Sequence, residues 1–142
     1  MFARLQLAVL AVAAVVLNTA LSQPVQNCAR SYVVQPGDFC DKISDAKNVS
    51  TFQLALVNQG VINTDCSNLF VDENICLGLV GQDCTSTHTI VSGDFCFAIA
   101  QIAGIALDTL LANNPNVNQD CSNIYPGEVL CTAATVIPYS TS

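Results

Sequence analysis

The sequence predicts an α+β protein built from two small, disulfide-stapled βααβ modules in tandem. Three observations carry this expectation. Eight cysteines form two matched sets of four: Cys28, Cys40, Cys66 and Cys76, then Cys84, Cys96, Cys121 and Cys131. Corresponding members lie 56, 56, 55 and 55 residues apart, so one module has been duplicated, with one residue lost between the second and third cysteine of the copy. Each set opens on a β-branched run and closes on a second short strand, with helical apolar spacing between them. A repeat sets the unit that must fold. A unit of about fifty residues has little core and commonly needs covalent staples.

Residues 1–22 read as a secretory signal peptide. Arg4 precedes an unbroken apolar run from Leu7 to Leu17, and Ala20 and Ser22 fit the −3 and −1 positions of a cleavage. That run is short for a membrane span of ~20 residues. The mature chain is then expected in an oxidising compartment, where an even set of cysteines implies disulfides. The duplication suggests two bridges within each module; three pairings of four cysteines remain open. After the leader only Arg30, Lys42 and Lys47 stand against eleven acidic residues, and the whole chain carries a formal net charge of −7. Nucleic acid and anionic membrane surfaces need basic patches, so neither is an expected partner. A neutral ligand suits this charge.

Module one spans 28–78, a short linker 79–83, module two 84–133 and a tail 134–142. Each module begins with a short strand, SYVV or THTI, in which Tyr32 and Val34, or His88 and Ile90, share a face. A Gly-Asp turn follows. Asp38 and Asp94 stand where a helix N-cap is expected, ahead of FCDKISDA and FCFAIAQIA. A second helix starts near Ser50, with Gln53 completing a capping box; Ala106 makes the cap of the copy weaker. Its apolar stripe is Phe52, Leu56 and Val57, joined by Leu54 and Ala55. An Asn-rich loop and a closing strand, NICLG or EVLCT, end the module. The Ser/Thr-rich tail is expected to fray.

No catalytic or metal constellation emerges. His88 is the only histidine, all cysteines are expected to be oxidised, and a Gly-x-Ser-x-Gly elbow is absent. Asp38, Asp41 and Asp45 lie on or beside one short helix, whereas a glycosidase needs two carboxylates held across a cleft. The chain therefore reads as a non-enzyme without cofactor. The Asn48-Val49-Ser50 tripeptide is an N-glycosylation sequon in the turn between the helices of module one.

The ordered landmarks resemble the lysin motif, LysM. SYVVQPGDFC and HTIVSGDFC match its opening, and LLANNPNVNQDCSNIYPGEVLC matches its second half. The four-cysteine form, with GD-x-C and D-C-S-N, is similar to the secreted LysM proteins of fungi. The resemblance covers nearly all of the mature chain, twice. It implies a βααβ fold that binds N-acetylglucosamine polymers: chitin or chitin oligosaccharides, with peptidoglycan as the alternative. It also implies a role as an effector that sequesters chitin fragments or shields hyphal walls. A long oligomer would meet two modules or bridge two molecules into a ligand-linked dimer. A structural wall protein is the competing class, but the adjacent Cys-Cys doublets of hydrophobins are missing.

The resemblance places the sugar between the loop after the first strand and the loop after the second helix. In module two this implies Gly93, Asp94, Phe95, Asn114, Pro115, Asn116, Val117 and Asn118. In module one it implies a weaker set, Gly37, Asp38, Phe39, Asn58, Gln59, Val61 and Ile62. Module one departs from the family pattern, with VNQG for NNPN and FVDE for YPGE, and the loss of Pro-Gly is expected to change the turn into its last strand. Trp is absent, so backbone groups and smaller apolar side chains must do the recognition.

Overall fold

The computed structural model describes residues 25–139; the expected signal peptide lies outside them. Module one runs β1 (Cys28–Val33), α1 (Cys40–Lys47), α2 (Thr51–Val57) and β2 (Asn74–Leu79). Module two runs β3 (Thr87–Thr89), α3 (Cys96–Ala103), α4 (Leu107–Asn113) and β4 (Val129–Cys131). Each module is the expected βααβ unit, its two strands paired antiparallel, β1 with β2 and β3 with β4. Sheets this small are marginal alone. Each is covered by its helices around a separate core: Val34, Ile43, Leu54 and Ile75 in the first, Ile90, Ile99, Leu110 and Leu130 in the second.

The disulfides pair first with fourth and second with third cysteine. Cys28–Cys76 and Cys84–Cys131 tie each opening strand to its closing one. Cys40–Cys66 and Cys96–Cys121 tie the start of each first helix to the loop after the second. No cysteine among the described residues is free.

Several local expectations are corrected. Asp38 and Asp94 are not helix caps; the N-caps of α1 and α3 are Phe39 and Phe95, which make no side-chain cap bond. Ser50 does cap α2 by accepting from Gln53 N–H at 3.1 Å, and Ala106 leaves α4 without a side-chain cap. Gln53 does not return the capping-box bond. Its amide is fully buried and satisfied elsewhere: Nε2 donates to Leu77 O (2.7 Å) and Asp83 Oδ1 (2.8 Å), while Oε1 accepts from Cys84 N–H (2.8 Å) and Tyr139 Oη (3.1 Å). The buried face of α2 is thus Gln53, Leu54 and Val57, not a stripe centred on Phe52 and Leu56.

The linker and the tail are anchored. Arg30 grips Asp83 through two bonds of 2.6 and 2.7 Å. Burial pushes the Asp83 carboxyl up, but Arg30 and Gln53 outweigh it and hold it low. Gly78 passes so close that a Cβ there would collide with the Asp83 carboxylate and the Gln53 amide. The tail docks through Tyr139 rather than fraying. Asn113, fully buried, donates to Ala133 O and Thr135 O and accepts from Ile137 N–H at 2.7 Å. Tyr139 then packs edge-on against Phe52, with ring centroids 5.3 Å apart. Its burial pushes its hydroxyl up to about 12.

Further bonds join the modules. Val129 N–H donates to Thr51 Oγ1 (3.0 Å), Thr51 donates on to Asp41 Oδ1 (3.0 Å), and Thr89 reaches Asp45. Tyr125, in the turn before β4, is 45% exposed and points its hydroxyl at Asp41 across the seam, 3.3 Å from Oδ2.

Candidate functional site

The loop after each opening strand is shaped by one aspartate. Gly37 and Gly93 turn the chain at φ of 82° and 93°, values that favour glycine. The next residue folds its carboxylate back. Asp38 Oδ2 accepts from Gln35 N–H (2.8 Å) and Tyr32 Oη (2.7 Å). Asp94 Oδ2 meets Val91 N–H (2.9 Å) and His88 Nε2 (2.8 Å) in the same way. These bonds, the backbone one first, hold both carboxyls below the usual carboxylate range. In module one Lys42 adds an ion pair to Asp38 at 3.3 Å. The aspartates therefore build the loop.

The second loop is stapled beside the first. Cys40 ends one and Cys66 follows the other in module one; Cys96 and Cys121 do the same in module two. The second loop is also clamped by an asparagine that sequence reasoning did not single out for a role. Asn68 accepts from Asn63 N–H (2.6 Å) and donates to Val61 O (2.9 Å). Asn123 accepts from Asn118 N–H (2.8 Å) and donates to Asn116 O (2.8 Å). The repeated DCSN signature was the available signal. These matched bonds equate Val61 with Asn116 and Ile62 with Val117, so the extra residue of module one falls at Gln59-Gly60, where Gly60 takes φ of 78°.

The residues named for sugar contact divide into two groups. Asn58 and Asn114 are buried, and each side-chain amide bonds the backbone of its own helix and of the closing strand. Ile62 and Val117 lie in the two cores. Asn58 and Asn114 present no side chain at the surface, while Ile62 and Val117, 7% and 6% exposed, line the open depressions beside the loops. Exposed are Gly37, Gly93, Gln59, Pro115, Asn116 and Asn118, with Phe39 at 58% and Phe95 at 55%. The absence of Pro-Gly in module one does not alter its last turn. Asp72 adopts φ of 67° where Gly127 has 96°, and both turns close through the same backbone bonds to Val34 or Ile90.

The surroundings differ between modules. Around the stapled loop ends of module one, Phe39, Asp41, Thr64 and Asp65 line a hollow of about 220 Å³ that Tyr125 of module two closes. Beside it Phe52, Ala55, Leu56, Gln59 and Asn116 line a second hollow of about 300 Å³ at the seam. One feature is shared: Leu111, Pro115, Val117 and Gln119 flank an open depression of about 450 Å³ on module two, and Ala55, Gln59, Gly60 and Ile62 flank a matching one of about 450 Å³ on module one. Among the described residues no cluster of His, Cys, Asp or Glu could hold a metal ion.

The profile of the LysM domain matches residues 32–78 and again 88–132. The chain belongs to the LysM family. LysM domains are non-catalytic modules that bind cell-wall carbohydrate. The chain is 32% identical over 129 residues to the secreted LysM effector LysM1 of Trichophyton rubrum, covering 75% of this chain and 51% of that one. It is 30% identical over 137 residues to the secreted LysM effector ldpA of Aspergillus fumigatus, covering 75% and 36%. It is also 28% identical over 129 residues to the non-secreted LysM effector LysM15 of Penicillium expansum, covering 87% and 9%. This LysM chain spans about half the length, or less, of these relatives.

Proposed function

We propose that this chain is a secreted, non-catalytic binder of chitin and N-acetylglucosamine oligomers that acts as a fungal effector, sequestering chitin fragments or shielding hyphal walls. The observation that carries the reading is the pair of loops stapled side by side in each module. Each pair offers an exposed phenylalanine, Phe39 or Phe95, beside backbone groups on rigid turns. A chitin oligomer is neutral, with acetamido groups and hydroxyls; backbone dipoles and an apolar ring suit it without charge. Family membership and the effector relatives support a cell-wall carbohydrate; the choice of chitin over peptidoglycan rests on the resemblance of the four-cysteine form to the secreted LysM proteins of fungi. Module two is the stronger binder in this reading, because the second loop of module one departs from the family pattern, with VNQG where module two has NNPN.

Calorimetric titration of oxidised residues 23–142 with a long chitin oligomer and with a peptidoglycan fragment tests the proposal. Saturable heat with chitin alone is expected. Heat with peptidoglycan alone moves the target to bacterial walls. Silence with both, on folded protein, removes the function.

A further inference from the structure

Glu128 is an unusual carboxylate in this molecule. Only 2% of its surface is exposed, and among the described residues no Lys or Arg pairs with it. Its Oε1 accepts from Asn116 Nδ2 at 2.7 Å, and its Oε2 lies 3.4 Å from Tyr125 N–H. Asn116 belongs to the second loop, and its backbone carbonyl is already held by Asn123. Both handles of Asn116 are thereby fixed, and its amide oxygen has no protein partner among the described residues.

Module one lacks this device. Glu73 occupies the matching position and closes the matching turn through Phe70 N–H at 3.3 Å. It is less buried, and Val61 stands where Asn116 would be. The turn needs the glutamate in both modules; only module two gives it a second task.

We infer that Glu128 is a positioning residue for saccharide binding by module two, holding the Asn116 amide so that its free oxygen faces an acetamido N–H or a hydroxyl of the ligand. This rests on the carbohydrate-binding reading above. Burial keeps the Glu128 carboxyl above the ordinary glutamate range, and Asp41 of α1 adds to this across the seam. Tyr125, whose hydroxyl is itself pushed up to about 12, is the other titratable group facing it. Protonation replaces a charged acceptor for Asn116 by a neutral one, which is about half as strong. Ligand affinity should therefore fall as pH drops through the ionisation of Glu128.

The test is calorimetric titration with an N-acetylglucosamine hexamer across pH 4 to 8, on the wild type, Glu128→Gln, Asn116→Ala and Asp41→Asn. The wild type should lose about five-fold in affinity on acidification, the equivalent of one charge-assisted bond made neutral. Glu128→Gln and Asn116→Ala should bind about that much more weakly at neutral pH and show no slope. Asp41→Asn should keep the slope with its midpoint moved down. The same slope in Glu128→Gln and wild type overturns the inference. A second readout needs no ligand: the Asn116 side-chain amide resonances should titrate with pH in the wild type and stay fixed in Glu128→Gln. Amide resonances that ignore pH in the wild type overturn the positioning role even where the hexamer binds. Resonances that titrate in a protein blind to the hexamer uphold the grip on Asn116 but overturn its service to that sugar.

Discussion

His88 Nε2 lies 2.8 Å from Asp94 Oδ2, in the place where Tyr32 Oη lies 2.7 Å from Asp38 Oδ2. Two different aromatic donors fill one structural slot, six residues before the aspartate that shapes the first loop. The lone histidine, on β3, thus braces a turn.

This slot makes acid stability predictable. Folding lowers the pKa of Asp38 and Asp94, so the stability they add is complete above the ordinary carboxylate value and is lost as pH falls through their lowered folded values. Thermal melts should show a midpoint that drops below about pH 4. Asp94→Asn should flatten part of that acid limb, and His88→Tyr, which copies module one, should retain it. An unchanged limb in Asp94→Asn would count against the assignment.

Gln53 is expected to be the most sensitive polar position outside the cysteines. Gln53→Ala strips partners from Cys84 N–H, Leu77 O and the Tyr139 hydroxyl at once. Leaving a buried polar group unsatisfied costs about 1–3 kcal/mol, so a loss of about 3 kcal/mol in urea unfolding is expected. Thr109→Ala, at the matching place on α4, should stay within about 0.5 kcal/mol.

The two bridges of a module should separate stability from binding. Replacing Cys96 and Cys121 by serine opens a loop of 25 residues and should cost about 3–4 kcal/mol in the chain-entropy account. It also frees the second loop from the first, so oligosaccharide affinity should fall with it. Replacing Cys84 and Cys131 should cost similar stability yet spare most affinity in protein that remains folded. Calorimetry on folded double mutants distinguishes the two.

Changes at Asn116 and Asn118 should each weaken chitin binding about five-fold, or ~1 kcal/mol, and more than changes at Val61 and Asn63. Asn114→Ala should instead lower the melting temperature, because its amide spans α4 and β4. Equal affinity losses in both modules would remove the asymmetry.

Asn48 is expected to carry an N-glycan when the chain is secreted by a eukaryotic cell. It is exposed at φ of 50°, beside Arg30 near the start of β1, whereas the first loop follows the end of that strand. The eight residues of α1 hold Asn48 about 12 Å from that loop. Asn48→Gln should abolish a glycosidase-sensitive mass shift without changing oligosaccharide affinity. Ser50→Ala is the poorer test, because Ser50 also caps α2.

The βααβ order was legible because Cys spacing, strand alternation and helical periodicity all repeat at one interval. The loops were legible from GDFC and DCSN. The hydrogen-bond partners were not. Asp38 looked like a cap because Gly-Asp commonly precedes helices, but Tyr32 and Gln35 N–H compete for its carboxylate and win. The burial of the Asn58 and Asn114 amides was not legible either, because the resemblance marks the whole loop, while burial acts on each side chain separately. The turn in FVDE looked different without glycine, yet Asp72 tolerates the left-handed conformation. The seam was invisible: Tyr125, Asp41, Thr51 and Tyr139 are far apart in sequence, and neither repeat alone signals a partner.

The tail that returns from module two to Gln53 and Phe52 also fixes an order of events during synthesis. Chains leave the ribosome from the N-terminus and domains close as they emerge. Module one can bury Leu54 and oxidise its four cysteines before Tyr139 exists, but its Gln53 carbonyl must wait for that hydroxyl. The last latch of module one is therefore delivered by a segment made after module two, so a chain interrupted before Tyr139 leaves a folded but unlatched first module, with Phe52 bare and open to chaperone or protease.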